Sequence, residues 1–355
     1  MVIQRQEVVG QILQERKYNM SWNKNSGYGQ ALLNMVQAQV PTFGNILIVF
    51  DPDDSDEKNY QHMQEIMSPD YDGQIRFYTN LQTAYDAAES NNNDVILVDA
   101  NSTHVLTAGL DWSKNRVHLI GMDGGDRLVQ QGTKVWLTTA ATTAYVIKVT
   151  GVRNSFRNIK FIQAATAGTG LTVMQEGGEG TLWKNCSFIF EVADNLDQTN
   201  CYEVIAGSDS ATYIDCEFGQ DNLVTSVART VFCLAVVTTG QEFKSNRLRN
   251  CTFVINSSSA DALFISGAAT SSIKFTNLFD NCRFLATINA TSSSIALTKG
   301  ITTPNGLVEG SLMFANPVGM NVTNLVVNGT NNDNCLVYGA VNTGTDLVGV
   351  VGVAT

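Results

Sequence analysis

From about residue 94 to its end the chain alternates short apolar runs with turn residues. "DVILVDA", "HVLTA", "NRVHLIG", "KVWLTT", "AYVIKV", "NIKFIQ", "GLTVM", "SSIKFT" and "NLVVNG" are separated by Gly, Asn, Ser and Thr. Runs of four to six residues bounded by turn chemistry predict strands, and so many of them predict an all-β body. Upstream the period is different. Val2, Val9, Ile12 and Leu13 fall on one side of a helix over 1–18, and "GQALLNMVQAQV" repeats that spacing before Pro41. "NILIVF" and "QIRFYT" read as strands, with an acid-capped helix between them at 57–67. "NLQTAYDAAESNNN" predicts an amphipathic helix with Leu81, Ala84, Tyr85 and Ala88 turned inward.

One phrase repeats within the strand-rich part. "FRNIKF", "WKNCSF", "YIDCEF", "LRNCTF" and "FDNCRF" begin at Phe156, Trp183, Tyr213, Leu248 and Phe279, and "VTNLVV" from Val322 reads as a degenerate sixth copy. Asn158, Asn185, Asp215, Asn250 and Asn281 recur at intervals of 27, 30, 35 and 31 residues. A period near thirty with variable insertions is the mark of a solenoid whose coils differ in their loops. Side chains alternate by face along a strand. Ile159, Cys186, Cys216, Cys251 and Cys282 therefore point inward, as do Phe161, Phe188, Phe218, Phe253 and Phe284 two residues later. Lys160, Ser187, Glu217, Thr252 and Arg283 lie between them and are expected to face solvent. Asn and Asp suit a bend because they tolerate left-handed backbone. The phrase predicts an all-β, right-handed, single-stranded parallel β-helix behind a small N-terminal region that contains helices. The division is 1–75 for attachment or capping, 76–330 for the coils, and 331–355 for a strand-rich tail that caps the stack or meets another subunit.

Composition narrows the function. Hydrophobic residues make up 44% of 355, enough for a large core, and only 15% are charged. The net charge of −11, with no basic cluster in the sequence, disfavours nucleic acid. No apolar run is long enough to span a membrane, and "MVIQRQEVVGQILQERK" lacks a signal-peptide core. Seven cysteines without a secretion signal read as free thiols.

The segment "NLQTAYDAAESNNNDVILVDANSTHVL" followed by "NRVHLIGMDGG" resembles the start of right-handed parallel β-helix proteins of the pectate-lyase-like superfamily. The resemblance covers roughly residues 75–330. Low charge, a separate N-terminal segment and no leader also resemble structural proteins of tailed-bacteriophage virions. The resemblance implies a non-enzymatic capsid-decoration, cement, spike or fibre protein, made in the host cytoplasm and found in the virion. Its partners would be two further copies in a homotrimer, a major capsid protein or other virion proteins, and a host surface glycan. The alternative on the same fold is a polysaccharide depolymerase, hydrolase or lyase, or a glycan-binding adhesin.

Candidate chemistry is sparse. Enzymes of the superfamily use clustered Asp with Arg or Lys, or an Asp-Asp pair with Gly-His-Gly. The one Asp-Asp pair here precedes the coils, and no Gly-His-Gly occurs. A two-carboxylate glycosidase could draw on Asp215 and Glu217, with Glu203, Asp209, Asp194 and Asp197 nearby, although Asp215 also fits the Asn position of the repeat. Asp51, Asp53 and Asp54 in "DPDDSDE" are oxygen donors loosely spaced like a calcium loop. That loop lacks the central Gly and distal Glu, so no metal and no cofactor is expected. The cysteines lack the Cys-x₂₋₄-Cys spacing of zinc sites and read as small core residues. His118, between Val117 and Leu119, is expected outward at a surface or subunit contact, and Trp112, Trp136 and Trp183 in a core, an interface or a sugar groove.

Overall fold

Strands with one apolar face need something to close on, and this chain closes by winding on itself. In the computed structural model, residues 44–50, 77–99, 103–122, 135–139, 144–164, 172–190, 204–206, 208–219, 230–234, 242–267, 273–287, 297–302, 309–326 and 335–339 are described. Their strands form three parallel sheets. The long sheet runs from Phe77–Tyr78 and Ile46–Val49 through Asp94–Val98, Val117–Gly121, Ser155–Arg157, Leu182–Lys184, Thr212–Ile214, Arg247–Arg249, Ile273–Asp280 and Glu309–Ala315 to Cys335–Tyr338. The second runs from Thr103–Leu106 to Val318–Met320, the third from Leu110–Trp112 to Val322–Val326. Each turn of the chain gives one strand to each sheet and then repeats, as in Leu182–Lys184, Ser187–Phe190 and Val204–Ala206. That succession is a parallel β-helix. The predicted strand Ile46–Val49 and the strand Cys335–Tyr338, within the tail expected to be strand-rich, both join the long sheet, one upstream of residue 76 and one past 330.

The repeated phrase builds one corner of every coil. Asn158, Asn185, Asp215, Asn250, Asn281 and Asn316 have φ of 58°, 52°, 54°, 55°, 52° and 50°. Ladder bonds join neighbours there: Asn185 Nδ2 donates to Asn158 Oδ1 at 3.0 Å, and Asn250 Nδ2 to Asp215 Oδ1 at 3.2 Å. Inside the corner the phenylalanines stack in sequence. Ring centroids of Phe161, Phe188, Phe218, Phe253 and Phe284 are 5.5, 5.1, 4.9 and 4.9 Å apart with planes within 14°. All five are fully buried, each worth about 1.5–3 kcal/mol in transfer from water. A second stack runs Phe156, Trp183, Tyr213 along the long sheet. Cys186, Cys216, Cys251 and Cys282 line up between the sheets, buried and outside any disulfide. Burial and the flanking Cys216 and Cys282 push the Cys251 thiol well up, so it is an inert core group.

One end of the stack is covered by helix Leu81–Ala87. Asn80 caps it, its Oδ1 accepting from Gln82 and Thr83 amides. Leu81, Ala84 and Tyr85 are buried as the spacing predicts, and the Tyr85 ring lies 4.3 Å from Trp112. Lys114 Nζ donates to the carbonyls of Tyr85, Asp86 and Ala88, each at 2.8 Å, closing the helix C-terminus.

Three expectations change. The sixth copy of the phrase is not at Val322, which belongs to the third sheet. It is Asn316–Pro317–Val318, whose Val318 amide bonds Cys282 O at 3.0 Å. The side chains between Cys or Ile and Phe do alternate outward, but only Arg283 is exposed. Glu217 is half-buried, and Lys160, Ser187 and Thr252 are buried. Alternation sets the direction of a side chain, and accessibility depends on what lies over the sheet. Ile162 and Ile189 on the same outer face are buried too. For the same reason His118 is outward yet 8% exposed, its Nδ1 2.8 Å from Ser155 Oγ. It is not a surface residue.

Candidate binding face

The long sheet turns Phe156, Trp183, Tyr213, Leu248 and Phe279 inward. The next residue of each strand therefore faces out. These residues are Arg157, Lys184, Ile214, Arg249 and Asp280, in register from coil to coil. The ladder one step earlier on the same face holds Ser155, Leu182, Thr212, Arg247 and Leu278. Four cations thus share one face of a chain that has only 22 Lys and Arg and a net charge of −11. Lys184, Arg247 and Arg249 are exposed and Arg157 is half-buried. Among the described residues, none of the four makes an ion pair with a carboxylate; the two such pairs there are Lys244–Asp209 at 3.0 Å and Lys274–Glu242 at 2.9 Å. The Arg157 Nε is buried without a hydrogen-bond partner, and burial lowers its pKa. An arginine nonetheless stays charged.

Spacing follows from the fold. Neighbouring strands are about 4.8 Å apart, so Lys184 lies roughly one rung from Arg157 and two from Arg249. The corner residues Asn158, Asn185, Asp215, Asn250 and Asn281 border this face, four amides interrupted by one carboxylate. The arrangement is a cationic track with amide donors on its rim, parallel to the stack axis. It suits a linear polyanion better than a compact one.

Asp215 sits on that rim in the Asn position of the repeat, bonded to Asn250. Glu217 lies around the corner on the second sheet, where Oε2 accepts from Ser187 Oγ at 3.3 Å. The only carboxylate among the described outward residues of the cationic ladder is Asp280. Asp209 is held by Lys244. Asp51, Asp53, Asp54, Asp194, Asp197 and Glu203 lie outside the described residues. Among those described, no cluster of three or more His, Cys, Asp or Glu is placed to hold a metal. Trp112 and Trp183 are in the core. Sequence reasoning missed the track because Arg157, Lys184 and Arg249 are separated by 27 and 65 residues and only coil register brings them together.

No family model matches the chain, and no curated protein sequence matches it. Solved structures do. A pectin methylesterase from carrot superposes with a TM-score of 0.50 over 88% of this chain and 89% of its own, at 12% identity. A pectin methylesterase mutant in complex with a hexasaccharide gives 0.49 over 86% and 93%, also at 12%. Pectin methylesterase PemA from Erwinia chrysanthemi gives 0.47 over 86% and 92%, at 11%. The fold is the right-handed, pectate-lyase-like parallel β-helix. At such identities the likeness is one of fold.

Proposed function

We propose that the chain binds an acidic polysaccharide along the outer face of its long sheet. The observation that carries this is the ladder Arg157, Lys184, Arg249 with Arg247 beside it, outward, in register and without carboxylate partners among the described residues. Unpaired cations on a rigid sheet are pre-organised for anionic groups at intervals of whole rungs. The fold shared with the carrot pectin methylesterase makes a pectin-like polymer the first ligand to try. Modification of the bound chain, the depolymerase reading, needs acid–base groups over the track, and Asp280 and Asp215 are the described carboxylates nearest to it.

Calorimetry against polygalacturonate and neutral dextran tests the reading. Binding to the acidic polymer alone is expected, weakening as salt rises. Lys184→Gln and Arg249→Gln should each weaken it about tenfold, as loss of a charge-assisted hydrogen bond does. No binding, or binding indifferent to both variants, overturns the proposal. Reducing-end or unsaturated-sugar release, lost in Asp215→Asn or Glu217→Gln, would add cleavage. A second reading, a structural part of a virion, is favoured by the exposed apolar Val318, Met320 and Tyr338 on the last coils.

A further inference from the structure

Two buried N–H donors stand side by side on the outer face of the long sheet with nothing to accept them. His118 lies in register with Ser155, and Arg157 is two residues further along that second strand, on the same face. Side chains in this diagonal relation come within reach when one of them is long. Ser155 Oγ is 2.8 Å from His118 Nδ1, the one hydrogen bond of that hydroxyl among the described residues. Both side chains are buried. The hydroxyl proton therefore goes to Nδ1, because the reverse assignment would strand it. The ring proton is then on Nε2. His118 Nε2 and Arg157 Nε are each buried without a hydrogen-bond partner. Donors left so cost free energy, and each needs an explanation.

We propose that these two donors seat one carboxylate of a bound ligand at the upstream end of the cationic track. The choice of ligand rests on the reading of that face as a polysaccharide site: the group is the first uronate of the polymer. Charge argues for a carboxylate over water, which would leave the guanidinium unmatched. Among the described residues no carboxylate of the chain pairs with Arg157. Asp94, whose charge does reach His118, is already occupied. It accepts from the Asn45 and Glu89 amides at 2.6 Å each and from Asn92 Nδ2 at 2.7 Å. A carboxylate brings one oxygen for each orphan donor, and burial strengthens both bonds. Upstream of Arg157 the same ladder holds Ile120 and Leu97, both fully buried, so the charge stops here. Downstream, Lys184 is the next outward residue in register. Arg157 itself is half-buried, one side in the sheet and one on the track. An acid group held at this end fixes which sugar meets which rung.

Calorimetry on the full-length chain tests the seat with galacturonate, acetate, glucose and polygalacturonate. Galacturonate should bind and glucose should not. His118→Leu removes one donor, and Arg157→Lys keeps the charge while removing Nε. Each should weaken galacturonate about tenfold, the loss of one charge-assisted bond. His118→Gln should restore most of it, since its amide can stand where Nε2 stands. Thermal unfolding of each variant checks that the coils are intact. Galacturonate that does not bind, or binds regardless of His118→Leu and Arg157→Lys, overturns the seat. Polygalacturonate that still responds to Lys184→Gln and Arg249→Gln in that case leaves the track standing without it. Acetate as tight as galacturonate, with no binding of the polymer, supports a seat for free carboxylates and overturns its link to the track.

Discussion

Glu176 points into the coil interior, where Trp183 Nε1 donates to its Oε2 at 2.7 Å and the Gly178 amide and Thr181 hydroxyl donate to Oε1. Three donors favour the carboxylate, yet burial outweighs them and pushes its pKa up from 4.5 to about 8. His118 goes the other way. Burial first, then the Arg157 charge, lower it from 6.5 to about 4 against a smaller pull from Asp94. The signs follow from proton counts. Between 4.5 and 8 the unfolded chain has released the Glu176 proton and the folded one has kept it, so stability falls as pH rises through that window. Between 6.5 and 4 the unfolded chain takes up a His118 proton that the folded one refuses, so stability falls as pH drops there. The two effects oppose each other between 4.5 and 6.5, so the unfolding free energy from urea titration should be nearly flat there, fall by about 2 kcal/mol from 6.5 to 8 and by under about 1 kcal/mol from 4.5 down to 4. Glu176→Gln should remove the alkaline decline and His118→Asn the acid one.

At the scale of the element, the corner carries most of the information. Its residues must sit near φ of 50–58°, and Asn or Asp does so at low cost while bonding the next coil. Asn250→Ala should cost about 1–2 kcal/mol by denaturant titration, because alanine resists left-handed backbone. Asn250→Gly should cost less, because glycine takes the left-handed backbone freely while giving up the bond to Asp215. This corner was legible because backbone, hydrogen bond and inward Phe all constrain the same few positions. The opposite corner was not. Arg116, Arg153, Gly180, Ser210, Ser245 and Phe275 share left-handed backbone with φ of 52–67° but no side-chain chemistry. Arg153, Gly180 and Ser210 are held through backbone amides, Arg153 to Glu179 O, Gly180 to Asp209 O and Ser210 to Lys244 O, which leave no mark on residue type. The burial of Lys160 and His118 was hidden for a related reason: contacts over the outside of a sheet have no period along its strands. The cationic track was hidden as well, since register and not sequence proximity assembles it.

For the whole molecule, cohesion is distributed along the stack. Each ring in the Phe161–Phe284 series touches the ring before and the ring after, so removing a middle one damages two contacts. Phe218→Ala should cost about 3–5 kcal/mol in thermal or urea unfolding, as other large-to-small core changes do. Loops between strands vary in length while the corner residues keep step, as the unequal intervals between Asn158 and Asn281 show. A whole coil is then a unit that can be added or removed without retuning its neighbours. The molecule is in that sense a ruler. Each extra coil would lengthen the outer face by one graduation, and with it, for the proposed binding, the stretch of polymer that one chain would span.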